Sequence, residues 1–318
     1  MGAKHSTRDV ELSLSRRVGH DEAMDHSDQP AVSSPVPANL DALVPAAIAR
    51  KAEDVGVAKT EMEFSKLFVL AVLAGAFIGL GAMFSTVVTA GGGVSPGISR
   101  LLGGVVFALG LVLVVVCGAE LFTGNTLVIM AFASRRVRLA KLLRNWAIVY
   151  LGNLVGAVAT AALVVFSRRL EAGDGAVGLR ALDIATAKTH LAVPDAFVSG
   201  ILANTLVCLA VWLSMSARSV TDKVIAVVPP VAAFVAAGFE HSIANMYFVP
   251  VALFHRLLAR ASFWRTTSTT ADGYASITWS RFVVRNLIPV TFGNIVGGAI
   301  LVGLTYWFVY LRRSSPGA

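Results

Sequence analysis

Charge is what this 318-residue chain has least of: Asp, Glu, Lys and Arg make up 14% of it, against roughly 25% in a soluble globular domain. That shortage argues against a water-soluble enzyme. Cysteine is scarce as well. Cys117 and Cys208 both lie inside apolar blocks, so neither a disulfide framework nor a zinc site is implied. The chain has 5 tyrosines, and its apolar residues fall in long blocks rather than short alternating strands, which excludes an outer-membrane barrel. What is present in quantity is apolar, 56% of all residues, the composition of a polytopic helical membrane protein. The net charge of +8 does not indicate nucleic acid, because Lys and Arg fall in short loops between the apolar blocks, as juxtamembrane residues do.

Residues 1–39 stand apart, with four Lys/Arg, six Asp/Glu, three of the six histidines and Pro30, Pro35 and Pro37. They read as a disordered tail without the apolar core of a secretory signal. Residues 40–66 alternate apolar and charged positions behind Pro45, the pattern of an amphipathic helix on the membrane surface. The six-helix membrane domain is expected over 67–313, with a short tail at 314–318. Charge-free windows at 67–99, 145–167, 196–217 and 286–311 are long enough for four ordinary spans. Two further stretches, 101–134 and 224–254, are interrupted only by Glu120 and by Glu240-His241. At about 1.5 Å per residue each is longer than the ~30 Å hydrocarbon core, so each reads as one span broken near its middle. The fold class is therefore all-α, with six transmembrane helices of which the second and fifth are broken.

The broken spans share the pattern G-x-E-x-x-x-x-N, from Gly118 to Asn125 and from Gly238 to Asn245. A second pattern follows each: Arg144-Asn145 with Gly152-Asn153 and Gly156, matched by Arg285-Asn286 with Gly293-Asn294 and Gly297. The chain is thus two halves of three spans, and an odd number of crossings turns the second half upside down. Inverted repeats with discontinuous helices mark a transport pathway, since broken backbone at membrane depth is tolerated only where protein or an aqueous cavity covers it. Each break also bares the N-terminus of a half-helix, whose amides and dipole favour an anion.

Glu120 and Glu240 are the only acids in the spans. They either hold the broken helices, with Asn125 and Asn245 beside them, or pair with a neighbouring span. His241 has no counterpart in the first half, where Leu121 stands, so symmetry does not require it. Imidazole there can hydrogen-bond a passing carboxylate or lend it a proton. Thr123 supplies a hydroxyl from the other break, and Phe107, Leu111, Phe122 and Phe234 are aromatic and aliphatic candidates for narrow rings around it. Asn204 and Asn294 are span amides, for which bonding between helices is the commoner role. Lys188, before the fourth span, is placed to gather anions at a mouth or to serve as an ordinary interfacial lysine.

These residues resemble the formate/nitrite transporter family over 40–313. The stretches that carry the resemblance are Leu43 to Ala47, Cys117 to Thr123, Gly200 to Asn204, Phe239 to Met246 and Pro289 to Asn294. The resemblance implies a homopentamer of aquaporin-like protomers in the cytoplasmic membrane, both termini cytoplasmic, each protomer with its own pore for formate and other small monovalent anions. It implies that His241 is the central pore histidine and Thr123 its partner. Phe107 and Phe234 would then form the outer constriction and Leu111 and Phe122 the inner one, with Lys188 in a vestibule and Asn204 and Asn294 flanking the pore. Gly124-Asn125 looks more like nitrite-type members, so a nitrite-preferring transporter is the alternative within the family. Outside it, an aquaporin-type neutral-solute channel lacks support because no Asn is followed by Pro. A membrane enzyme lacks it because His241 and His255 have no metal-ligand spacing and no nucleophile-base pair is evident. No cofactor or metal is expected, and the partners are the anion, the bilayer and further copies of the chain.

Overall fold

Pro45 sets the first turn of α1 (Pro45–Glu61) in a computed structural model that describes residues 41–312. The tail expected over 1–39 and the segment 314–318 lie outside the described residues. α1 buries Ile48, Ala52, Gly56 and Thr60 along one stripe, the spacing of an amphipathic helix. Arg136 holds its other side, with Nη1 2.6 Å from Asp54 and 3.2 Å from Glu53. The segment expected over 40–66 is not continuous. Met62 and Glu63 leave the helical region, and α2 (Phe64–Thr89) begins beyond them.

The remaining helices are α3 (Pro96–Cys117), α4 (Phe122–Ala133), α5 (Leu139–Phe166), α6 (Ala176–His190), α7 (Val193–Ser216), α8 (Val220–Ala237), α9 (Ser242–Leu258), α10 (Ala261–Thr266) and α11, over residues 279–310. The described residues contain no strand. Five helices, α2, α3, α5, α7 and α11, are long and apolar enough to cross a membrane. The half-helices α4 and α9 complete the crossings begun by α3 and α8, giving six.

Both interruptions have the same local cause. Gly118 and Gly238 end α3 and α8 at φ 76°, a left-handed conformation that only glycine adopts without strain. The amides of Ala119 and Phe239 then reach back to the carbonyls of Val114 and Phe234 at 3.0 Å, closing the helix end as a Schellman-type cap does. The second break does divide its crossing evenly, after 18 residues of α8 and before 17 of α9. The first lies beyond the middle, because α3 starts early, at Pro96, and runs for 22 residues.

The two halves pack alike. α2 lies against α5 and α3, α7 lies against α11 and α8, and α3 meets α8 between them. The Gly-x-x-x-Gly pairs work within the protomer. Gly152 and Gly156 press onto α2, and Gly293 and Gly297 press onto α7, so closely that a Cβ at Gly156 or Gly297 would strike the carbonyl oxygen of Val72 or Ile201. α11 is the element that departs furthest from the ordinary span expected at 286–311. It starts at Trp279 and carries two π-helical stretches, Phe282–Leu287 and Val296–Leu304. The first ends just before Pro289, whose missing N–H and bulky ring disrupt the ladder toward Arg285.

Candidate functional site at the crossing of two half-helices

Each break is held open by the same set of side chains. Glu120 Oε2 accepts from Lys59 Nζ at 2.9 Å and from Asn125 Nδ2 at 2.7 Å, and Asn125 Nδ2 also reaches Asn145 Oδ1. Glu240 Oε1 accepts from Lys188 Nζ at 2.9 Å, while its Oε2 accepts from Asn245 Nδ2 at 2.6 Å and Asn286 Nδ2 at 3.1 Å. Asn153 and Asn294 cap the half-helices: their Oδ1 atoms accept from the Phe122 and Ser242 amides at 2.8 and 2.9 Å. Their Nδ2 groups donate to the carbonyls of Ala71 and Glu120 on one side, and of Gly200 and Glu240 on the other. The buried carboxylates and amides are thereby bonded, as low-dielectric surroundings demand, apart from Asn245 Oδ1, which has no partner. Each glutamate side chain thus accepts from the asparagine of its own half-helix and from a lysine on an amphipathic helix outside the spans, rather than from backbone amides, and Glu240 alone also accepts from a neighbouring span, through Asn286. Asn294 belongs to this framework.

Lys188 is therefore not a free base at a mouth. Its side chain is 15% exposed and paired with Glu240, and its ammonium lies 5.4 Å from the Phe248 ring centroid. It sits on α6, a helix that the sequence pattern alone left inside a loop. Lys59 and Lys188 are repeat-equivalent, for Ala58-Lys59-Thr60 recurs as Ala187-Lys188-Thr189, each just ahead of a span. That triplet was the available signal, and it extends the repeat to an amphipathic helix in each half.

Thr123 and His241 meet where the half-helices cross. Thr123 Oγ1 lies 2.9 Å from His241 Nε2, and both residues are buried. His241 Nδ1 accepts from the Ala244 amide at 3.1 Å, capping α9. That bond needs a lone pair on Nδ1, so the neutral ring carries its proton on Nε2 and donates it to Thr123. The Thr123 hydroxyl hydrogen is then free to point elsewhere. Behind it, Asn204 Nδ2 donates to the Thr123 carbonyl at 3.2 Å and to the Asn294 carbonyl at 2.6 Å, leaving Asn204 Oδ1 without a hydrogen-bond partner.

Aromatic rings close one side of this junction. Phe107 and Phe234 meet edge to face at 5.7 Å, and Phe234 lies 5.9 Å from the His241 ring. Beyond them opens a vestibule of about 820 Å³ whose wall includes Lys188, Glu240 and Phe248. On the opposite side a smaller cavity of about 260 Å³ is lined by Leu111, Leu121, Val114 and Glu120. Phe122, expected beside Leu111, turns away, its ring edge-on to Tyr150 at 4.9 Å and Trp146 at 6.2 Å. The backbone explains the exchange. Leu121 is extended (φ −106°, ψ 125°), as is His241, and successive side chains on extended backbone point to opposite sides. Leu121 therefore lines the smaller cavity, as its repeat counterpart His241 lines the larger.

The family model described as formate/nitrite transporter matches residues 46–308. This chain belongs to the formate/nitrite transporter family. Members similar to it include the formate channel FocA of Escherichia coli (strain K12), 46% identical over 276 residues that cover 86% of this chain and 97% of that one. The formate channel FocA of Haemophilus influenzae is 41% identical over 264 residues, 83% of this chain and 93% of that one. Among solved structures of the family's kind, a pentameric formate channel with formate bound superposes with a TM-score of 0.73 at 44% identity, covering 78% of this chain and 98% of that one. An FNT family ion channel superposes at 0.71 with 27% identity, covering 83% and 98%.

Proposed function

We propose that this protein is a formate channel of a cell membrane, each protomer passing the anion between the Phe107–Phe234 pair and the Leu111–Leu121 wall, past Thr123 and His241. The observation that carries the reading is the buried Thr123–His241 contact at the joint of two opposed half-helices. Two donors meet there: the Thr123 hydroxyl, freed by the tautomer of His241, and His241 Nε2–H, which Thr123 Oγ1 holds and which reaches the anion only by exchanging that bond. A carboxylate of one carbon fits that pair. Half-helix N-termini supply favourable potential for its charge from both sides. The similarity to formate channels favours formate over nitrite as the preferred substrate, with nitrite a weaker one.

His241 also has the chemistry to pass a proton to the anion. Giving up the Nε2 proton leaves a ring anion, so transfer requires the imidazolium, which forms by protonating Nδ1 and releasing the Ala244 amide. Proton transfer and loosening of the α9 cap are then one event. Uptake of labelled formate and of nitrite by reconstituted protein across a pH series tests the reading, with His241→Ala alongside. The wild type takes up formate faster than nitrite with a marked pH dependence, and the variant loses that dependence. Water flux without anion flux in the wild type would overturn the channel reading, and an unchanged pH profile in His241→Ala would remove the proton role.

The aromatic pair sets the size limit of the permeant. Phe107→Ala raises acetate flux relative to formate by roughly tenfold, since pockets discriminate by about that factor for one added carbon. The check is a comparison of initial rates for the two labelled acids; an unchanged ratio places the size filter elsewhere.

The assembly is a homopentamer, in line with the pentameric neighbour, and both termini are cytoplasmic. With that orientation thirteen Lys/Arg of residues 40–318 fall on the inner side and ten on the outer, a small excess of the expected sign.

A further inference from the structure

The two mouths of the pathway are electrically unlike. In the larger vestibule, on the α6 side, Arg100, Arg180 and Lys188 are matched by Asp183, Asp195 and Glu240. The smaller cavity, on the α1 side, is lined by Lys51, Lys59 and Lys223 but by one carboxylate, Glu120. Lys59 is taken up by that carboxylate at 2.9 Å. Among the described residues Lys51 has only the Met215 carbonyl, 2.8 Å from its Nζ, and no side-chain carboxylate within ion-pair distance. The nearest acids on its own helix, Glu53 and Asp54, are engaged by Arg136, and Asp222 is turned to the Ser219 capping box. Two uncompensated ammonium groups thus face a cavity whose other walls are largely aliphatic. They also feel one another. Burial first, and then the charges of Lys223 and Arg218, hold the Lys51 ammonium below the usual lysine range.

We infer that Lys51 and Lys223 form an anion-recruiting pair that makes the α1-side mouth the high-affinity approach to the pathway, while the balanced α6-side vestibule admits anions without concentrating them. The inference rests on the transport reading above and adds a direction to it. Like charges lining a narrow cleft with low-dielectric walls raise the local concentration of the opposite ion and its rate of arrival, and that gain is lost as salt screens them. A passive channel cannot alter the final equilibrium. What the pair changes is half-saturation: uptake from the α1 side levels off at a lower formate concentration, while the limiting rates at low concentration stay equal from the two sides.

The test measures initial rates of labelled formate uptake into right-side-out and inside-out membrane vesicles over a concentration series, at low and high ionic strength. The wild type shows a half-saturation several-fold lower on the α1 side, and added salt narrows the gap. Lys51→Met/Lys223→Met removes the difference by raising half-saturation on that side alone, while Lys51→Arg/Lys223→Arg retains it. Lys223→Met by itself guards against a folding failure at Lys51, and it erases part of the difference. Equal half-saturation from both sides in the wild type, or a difference that survives Lys51→Met/Lys223→Met, overturns the inference and leaves the channel reading standing. Absence of formate flux in the wild type from either side overturns both.

Discussion

Glu240→Ala lowers the stability of the solubilised protein by about 3 kcal/mol, and Glu240→Gln does not restore it. The loss follows from what surrounds the carboxylate. Lys188 Nζ, Asn245 Nδ2 and Asn286 Nδ2 all donate to it, and its side chain is 4% exposed. Removing one partner of a buried pair strands the other charge, which costs about 3–5 kcal/mol; the partial exposure of Lys188 places this case at the low end. Glutamine has the right length and the wrong hydrogen-bonding character. One of its two terminal atoms becomes a donor aimed at a ring of donors, so at least one contact turns repulsive. Glu120→Ala costs less, because Lys59 Nζ retains Asn125 Oδ1 at 2.7 Å, whereas Lys188 Nζ donates to Glu240 and does not reach the equivalent Asn245 Oδ1, which is unbonded. Denaturant unfolding of the detergent-solubilised wild type and the three variants gives the order. A Glu240→Gln protein as stable as the wild type would show that shape, not the carboxylate charge, holds the break.

Most of this site could be read before any coordinates, and the reason is the repeat. Glycine, glutamate and asparagine recur at fixed spacing because the same problem, a helix interrupted at membrane depth, is solved twice with the same donors and acceptors. The repeat marks Gly118, Gly238, Asn153 and Asn294 by position, while the left-handed turns and the caps they make, in place of the pore-flanking role expected of Asn294, come from the structure. His241 stood out because it breaks the symmetry. What escaped notice was either spread thinly along the chain or set by backbone direction. α6 carries both signs of charge and so breaks the charge-free windows by which the spans were read, although Ala187-Lys188-Thr189 repeats Ala58-Lys59-Thr60. The resemblance put Phe122 beside Leu111 in the inner constriction, yet the extended backbone at 121 decides which of two neighbours lines the cavity there, and it is Leu121. The π-helical stretches of α11 have no periodic signature, for they depend on Pro289 and on how tightly α11 is pressed onto α7.

That pressure makes Gly297→Ala the substitution with the widest consequences. A Cβ at residue 297 would overlap the Ile201 carbonyl oxygen and approach its carbon and Cα at 3.0 and 3.1 Å, and backbone cannot swing aside as a side-chain tip does. Over-packing of a core by one methyl group costs about 1–3 kcal/mol, and contact with rigid backbone puts this case at the top of that range. Function suffers more than stability. One turn before Gly297, Asn294 spans α7 and the break: its Nδ2 holds the Gly200 carbonyl at 2.8 Å and the Glu240 carbonyl at 3.1 Å, and its Oδ1 holds the Ser242 amide. Separating α11 from α7 pulls this side chain off one of its anchors, and the residue between the other two is His241. The 2.9 Å contact with Thr123 is then lost by a displacement of an ångström, the scale at which misplacement costs about a hundredfold in a reaction that depends on alignment. Gly297→Ala should therefore assemble, melt at a lower temperature and pass formate at a few per cent of the wild-type rate, and Gly156→Ala should do the same from the other half, through Asn153 and Phe122. Melting in detergent and formate uptake by the same preparations separate the two effects. Wild-type flux from a Gly297→Ala protein of lowered melting temperature would show that helix spacing and the His241–Thr123 contact are independent.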